Sequence, residues 1–78
     1  MIQQKIKQDE ISIGSNIRRI RKEKGIGQTE FAIKLQLSGI DMTRETLVKI
    51  ERGIHHIYAT QLRAIRVALD TTYDELLK

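Results

Sequence analysis

Residues Gly27 to Gly53 read GQTEFAIKLQLSGIDMTRETLVKIERG, two short helical patterns joined by a tight connection. In the first, opening at Gln28, Phe31, Ala32 and Leu35 fall at i, i+1 and i+4 and make one apolar stripe among the polar Thr29, Glu30 and Lys34. Ser38-Gly39 breaks that helix, since glycine takes the positive φ of a helix exit. Asp41 or Thr43 then offers a side-chain oxygen to cap a second helix over residues 43–52. Leu47 and Ile50 lie on one face of it, Arg44, Glu45 and Lys49 on the other, and Gly53 closes it.

A helix this short needs tertiary burial to persist. Its narrow apolar stripe implies a clamp from behind, with long polar side chains left in front. An α-helix fits the major groove of B-DNA, and Arg and Lys reach base edges from such a face.

The flanking sequence supplies the clamp. Ile13, Ile17 and Ile20 recur at i, i+4 and i+7, which predicts a helix from Ser12 or Ile13 to Lys24, ended by Gly25, with Ile26 plugging the core beneath the turn. Leu62, Ile65 and Leu69 predict a fourth helix over Ala59 to Leu69. Thr72-Tyr73-Asp74-Glu75 is a capping box that opens a last one. Leu76 and Leu77 follow, and two adjacent leucines on so short a helix do not both face one small core. One is a candidate dimer contact; a frayed end is the other reading. Residues 1–11 read as a leader, loose or a short helix docking Ile2 and Ile6, or a basic arm using Lys5 and Lys7. The fold class is therefore all-α, with one compact five-helix domain over residues 12–78.

Composition narrows the function. Seventy-eight residues allow one domain with a modest core. The chain has no cysteine, hence no disulfide framework and no thiolate metal site, which fits a cytoplasmic protein. No apolar run approaches a membrane span. No nucleophile–base pair or phosphate-binding glycine loop is visible, so neither an enzyme nor a cofactor is expected. A net charge of +4 by itself says little beyond solubility. The clustering of Arg18, Arg19, Arg21, Lys22 and Lys24, opposed only by Glu23, favours a polyanion.

The parts IG..IR.IRKEKGIGQTEFAIKL, TRETLVKIERG and LRAIRVALDTTYDELL, in that order from Ile13 to Leu77, resemble the helix-turn-helix domain of the Cro/cI-type (XRE-like) phage and bacterial regulators. The resemblance implies a lambda-repressor-like fold and a sequence-specific regulator of transcription on double-stranded DNA. One departure is the connection QLSGIDMT, about one helical turn longer than the family's commonest form. It is similar to a subset common in Gram-positive bacteria and their mobile elements.

Carried over by position, the resemblance puts Arg44, Glu45 and Lys49 at base-reading sites. Arg and Lys donate to guanine and Glu accepts from cytosine N4. Glu45 has a second reading, as a carboxylate favoured near the helix N-terminus. Backbone contacts fall to Gln28, Thr43, Thr46, Arg52 and the loop histidines His55 and His56. Gly27 replaces the family's more usual capping Ser or Asn. The resemblance also implies a structural ion pair between Arg21 and Glu51. Adjacent histidines diverge and no third ligand is evident, so no metal is expected at His55 and His56. One such domain buries little DNA surface, so a homodimer on a near-palindrome is expected. No sensor domain is apparent, leaving control to concentration or a partner. The alternative is an antitoxin or protein-interaction adaptor on the same fold, with a toxin or co-regulator as partner.

Overall fold

The computed structural model describes residues 5, 6, 8 and 12–78. The elements run β1 (Lys5–Ile6), α1 (Ile13–Glu23), α2 (Gln28–Leu37), α3 (Arg44–Glu51), β2 (Ile57–Tyr58), α4 (Ala59–Leu69) and α5 (Tyr73–Leu76). All five expected helices are present. Their apolar stripes meet in one core, in which Ile13, Ile17, Phe31, Leu35, Leu47, Ile50, Ile65 and Leu69 are fully buried. Ile26 packs against that core at its edge. Leu76 is buried while Leu77 is exposed, so the two leucines divide as their spacing requires.

The helical fold expected from the sequence is present, and it carries one small addition. β1 and β2 form a two-stranded antiparallel sheet, pairing Lys5 with Tyr58 and Ile6 with Ile57. Two residues are too few to show the alternation that marks a strand, and the partner lies some fifty positions away. Within the stretch expected as a loose or helical leader, Lys5 and Ile6 are therefore extended and paired. Gln8 is tied to the domain as well: it accepts from the Gly14 amide at 2.6 Å and donates to the carbonyls of Ile50 and His55 at 3.0 and 2.9 Å. The remainder of residues 1–11, with the proposed docking of Ile2 and the arm role of Lys7, lies outside the described residues.

The long connection between α2 and α3 is held at three points. Met42 is fully buried, Ile40 packs against the core, and Gln36 Nε2 donates to the Met42 carbonyl at 2.6 Å. Of the two capping candidates, Thr43 serves: its Oγ1 accepts from the Thr46 amide at 3.0 Å, while Asp41 is exposed. At the far end Gly53 takes φ +79°, and its amide bonds Ile50 O while that of Ile54 bonds Lys49 O. That six-to-one closure needs a left-handed residue. Thr72 caps α5 by accepting from the Glu75 amide, but the Glu75 carboxylate turns to Arg19 and Lys78.

Candidate nucleic-acid interface

α3 presents its front by simple helical geometry. Positions 44, 45, 48, 49 and 52 share one face, and Arg44, Glu45, Lys49 and Arg52 on it are exposed. The back is locked. Leu47 and Ile50 are fully buried, and the carboxylate of Glu51, a residue 4% exposed, forks onto Arg21, 6% exposed. Arg21 Nε donates to Oε2 at 2.8 Å and Nη2 to Oε1 at 3.0 Å. Arg21 Nη1 also donates to Ile26 O at 2.7 Å, and Gln28 Nε2 donates to Glu51 Oε1 at 3.1 Å. The carboxylate thus ties α3 to α1 and to the start of α2, and Arg21 carries the tie on to the α1–α2 turn. A planar fork of this kind sets orientation, which a lysine would not.

Two hollows flank the front of α3. One of about 310 Å³ is lined by Arg44, Glu45, Val48, Lys49, Arg52 and Ile54. The other, about 480 Å³, lies between α1, α2 and α3 and is lined by Ser15, Arg18, Gln28, Val48, Glu51 and Arg52. Four cations, Arg18, Arg44, Lys49 and Arg52, thus face one region, opposed by the exposed carboxylate of Glu45.

The basic run of α1 does not act as one patch. Successive residues turn by about 100° on a helix, so its charges scatter. Arg21 is in the core lock, Arg19 pairs with Glu23 and Glu75, and Lys24 donates to the Asp70 carbonyl. Arg18 alone of these lines the α3 hollows. The sequence groups Arg18 with the basic run without separating it from its neighbours, and it assigns no role to Val48 or Ile54. The signal for Arg18 was its place one residue after Ile17 on a helix whose opposite flank is buried.

The expected backbone-contact residues divide. Gln28 spends one amide hydrogen on Glu51 and keeps another. Thr43 uses its hydroxyl proton on Thr46 Oγ1 at 3.0 Å, which leaves the Thr46 hydroxyl proton free to donate outward. Gly27 caps α2 without a side chain, and its amide donates to the Glu30 carboxylate at 3.4 Å. In the loop after α3 the rings of His55 and His56 stack at 4.7 Å, and His56 meets Tyr58 edge-on at 4.9 Å. His55 Nδ1 lies 2.7 Å from the His56 carbonyl, so the proton sits on Nδ1 and Nε2 is its other ring nitrogen. His56 Nε2 is enclosed and has no hydrogen-bond partner. Burial, then the charges of His55 and Lys5, hold the His56 imidazole below its ordinary pKa. Among the described residues no group of three His, Asp or Glu side chains is arranged to hold a metal ion, and no helix is long and apolar enough to cross a membrane.

No family model and no curated protein matches the sequence. Solved structures do match the fold. The clp gene regulator ClgR from C. glutamicum superposes with a TM-score of 0.75 at 23% identity, over 85% of this chain and 78% of that one. The restriction-modification controller protein C.AhdI from Aeromonas hydrophila does so with a TM-score of 0.73 at 24% identity, over 85% of this chain and 88% of that one. This chain, five helices with a two-stranded sheet among the described residues, shares its fold with a gene regulator and a restriction-modification controller.

Proposed function

We propose that this protein is a sequence-specific, double-stranded DNA-binding regulator of transcription that inserts the front of α3 into the major groove. The observation that carries this is the contrast between the two sides of α3. Its back is pinned by buried Leu47, Ile50 and Glu51, while Arg44, Glu45, Lys49 and Arg52 stand free in front. A groove about 12 Å wide admits a helix about 10–12 Å across with its side chains. In this reading Arg44, Glu45 and Lys49 meet base edges, while Arg52, Thr46, Gln28, Thr43 and His55 position the domain on phosphates. Arg18 joins them from α1. The likeness to a gene regulator and a restriction-modification controller supports the same class.

Two copies on a near-palindrome supply the contact area that one small domain lacks, with half-sites about one turn of DNA apart. The test is selection of bound duplexes from a random pool, followed by sequencing. The expected result is an enriched motif with two related halves. Retention of duplexes without any enriched sequence would reduce α3 to a phosphate-binding surface and overturn the reading.

A further inference from the structure

A second groove, about 550 Å³, runs between α2 and α4. It shares no lining residue with the hollows beside α3. Its floor is apolar, formed by Ile40, Ala64, Val67 and Ala68, and Val67 is 63% exposed within it. Lys34, Arg63 and Arg66 also line it, and no carboxylate does. Among the described residues none of these three cations is in an ion pair. Lys34 Nζ reaches only the Ala68 carbonyl, at 3.0 Å. The Arg66 guanidinium lies over the Tyr73 ring at 5.1 Å, and its Nε is enclosed without a hydrogen-bond partner.

Single exposed apolar residues are ordinary, but an apolar floor ringed by unpaired cations is a combination with a complement. We infer that this groove docks an acidic amphipathic segment of a partner protein. Its aliphatic or aromatic side chains lie on Ile40, Ala64 and Val67, and its carboxylates meet Lys34, Arg63 and Arg66. The charge pattern selects this occupant. A nucleic acid offers anions but little that seats on an aliphatic floor. A second copy of this chain carries a net charge of +4 and the same three cations around the same groove, so like charge opposes its docking there. Because the groove and the α3 front are lined by separate residues, both can be occupied at once.

The test selects a library of random short peptides against the whole chain in the absence of DNA. Enriched peptides are expected to combine Asp or Glu with Leu, Phe or Trp. A synthetic labelled member of that set should bind about threefold or more weakly to Arg63→Glu, and more weakly still when Val67→Asp is added. Arg63→Lys, which keeps the charge, should retain binding, and added salt should weaken it. Both positions are exposed, and circular dichroism checks that the variants fold. Absence of enrichment, enriched peptides without acids, or equal binding by parent and double variant each overturns the inference. So does loss of self-association in Val67→Asp on sedimentation, which would make the occupant a second copy, or an equal loss of duplex affinity in Arg63→Glu, which would make it DNA. Since the peptide arm contains no DNA, its failure leaves the reading of α3 standing.

Discussion

The α carbon of Gly14 on α1 lies directly against the backbone carbonyl of Ile50 on α3, so that a methyl group there would overlap the oxygen. The contact sets how closely α1 approaches the last turn of α3. Gly14→Ala should therefore destabilise the protein by about 1–3 kcal/mol, the usual range for overpacking. Alanine's helix propensity offsets roughly 0.5–1 kcal/mol of that, and the obstacle is backbone, which cannot rotate aside. Thermal melting checks this against Gly27→Ser, where an added Cβ meets nothing within 4 Å. A Gly14→Ala melting temperature at or above the parent's contradicts the close approach.

Gln8 reaches the same junction from the N-terminal side. Its amide bridges the Gly14 N–H to the carbonyls of Ile50 and His55, so it caps α1, whose formal N-cap Ser12 makes no side-chain bond. Gln8→Ala should cost about 1–3 kcal/mol in denaturant melts, because the Gly14 amide is left without its acceptor. Gln8→Glu keeps the acceptor but sets a carboxylate oxygen against the carbonyls of Ile50 and His55, so it too should lower stability. If Gln8→Ala matches the parent, water replaces the bridge and the N-terminal segment is not structural.

The Arg21–Glu51 fork should separate from surface pairing on mutation. Glu51→Ala leaves a buried guanidinium uncompensated, at a cost of about 3–5 kcal/mol. Glu23→Ala removes an exposed i,i+4 contact with Arg19 at 3.3 Å, worth at most about 1 kcal/mol. Equal melting temperatures for the two variants would remove the lock from the account of how α3 is held.

Arg44 opens the exposed face of α3, in the turn capped by Thr43. On the proposed reading, Arg44→Ala loses about 1–3 kcal/mol of affinity for the selected duplex and little for a scrambled one. Competition binding with both duplexes distinguishes the roles. Equal weakening on the two makes Arg44 a phosphate contact.

His56 gives the fold an acid-sensitive point. Its folded-state pKa lies below the ordinary 6.5, chiefly through burial, then through His55 and Lys5. Tyr58 meets the same ring edge-on. Below pH 6.5 the unfolded chain binds a proton that the folded one resists, so stability falls as pH drops through that window and is unaffected above it. His56→Gln should flatten the dependence between pH 7.5 and about 5 in denaturant midpoints. The same loss in parent and variant would assign the acid sensitivity elsewhere.

The five helices were legible from the chain because each carries a local signal. Apolar residues recur at helical spacing, Thr43 and Thr72 supply capping oxygens, and Gly25, Gly39 and Gly53 take positive φ at helix ends. The face of α3 was legible for the same reason, since Leu47 and Ile50 set its back and place Arg44, Glu45 and Lys49 in front. What Lys5, Ile6 and Gln8 do was not. The pairing of Lys5–Ile6 with Ile57–Tyr58 and the bridge from Gln8 depend on groups some forty to fifty positions away, and no periodicity reports such a contact. Nor was the sorting of the basic run, where Arg18, Arg19, Arg21 and Lys24 carry the same charge in sequence but meet different neighbours. The two histidines diverge likewise, since it is His56, with His55 stacked on it and Tyr58 edge-on, whose Nε2 is enclosed. Side-chain chemistry and spacing determine which helices form and which face each can bury. Which charges are buried, paired or left free depends on what the rest of the chain brings against them.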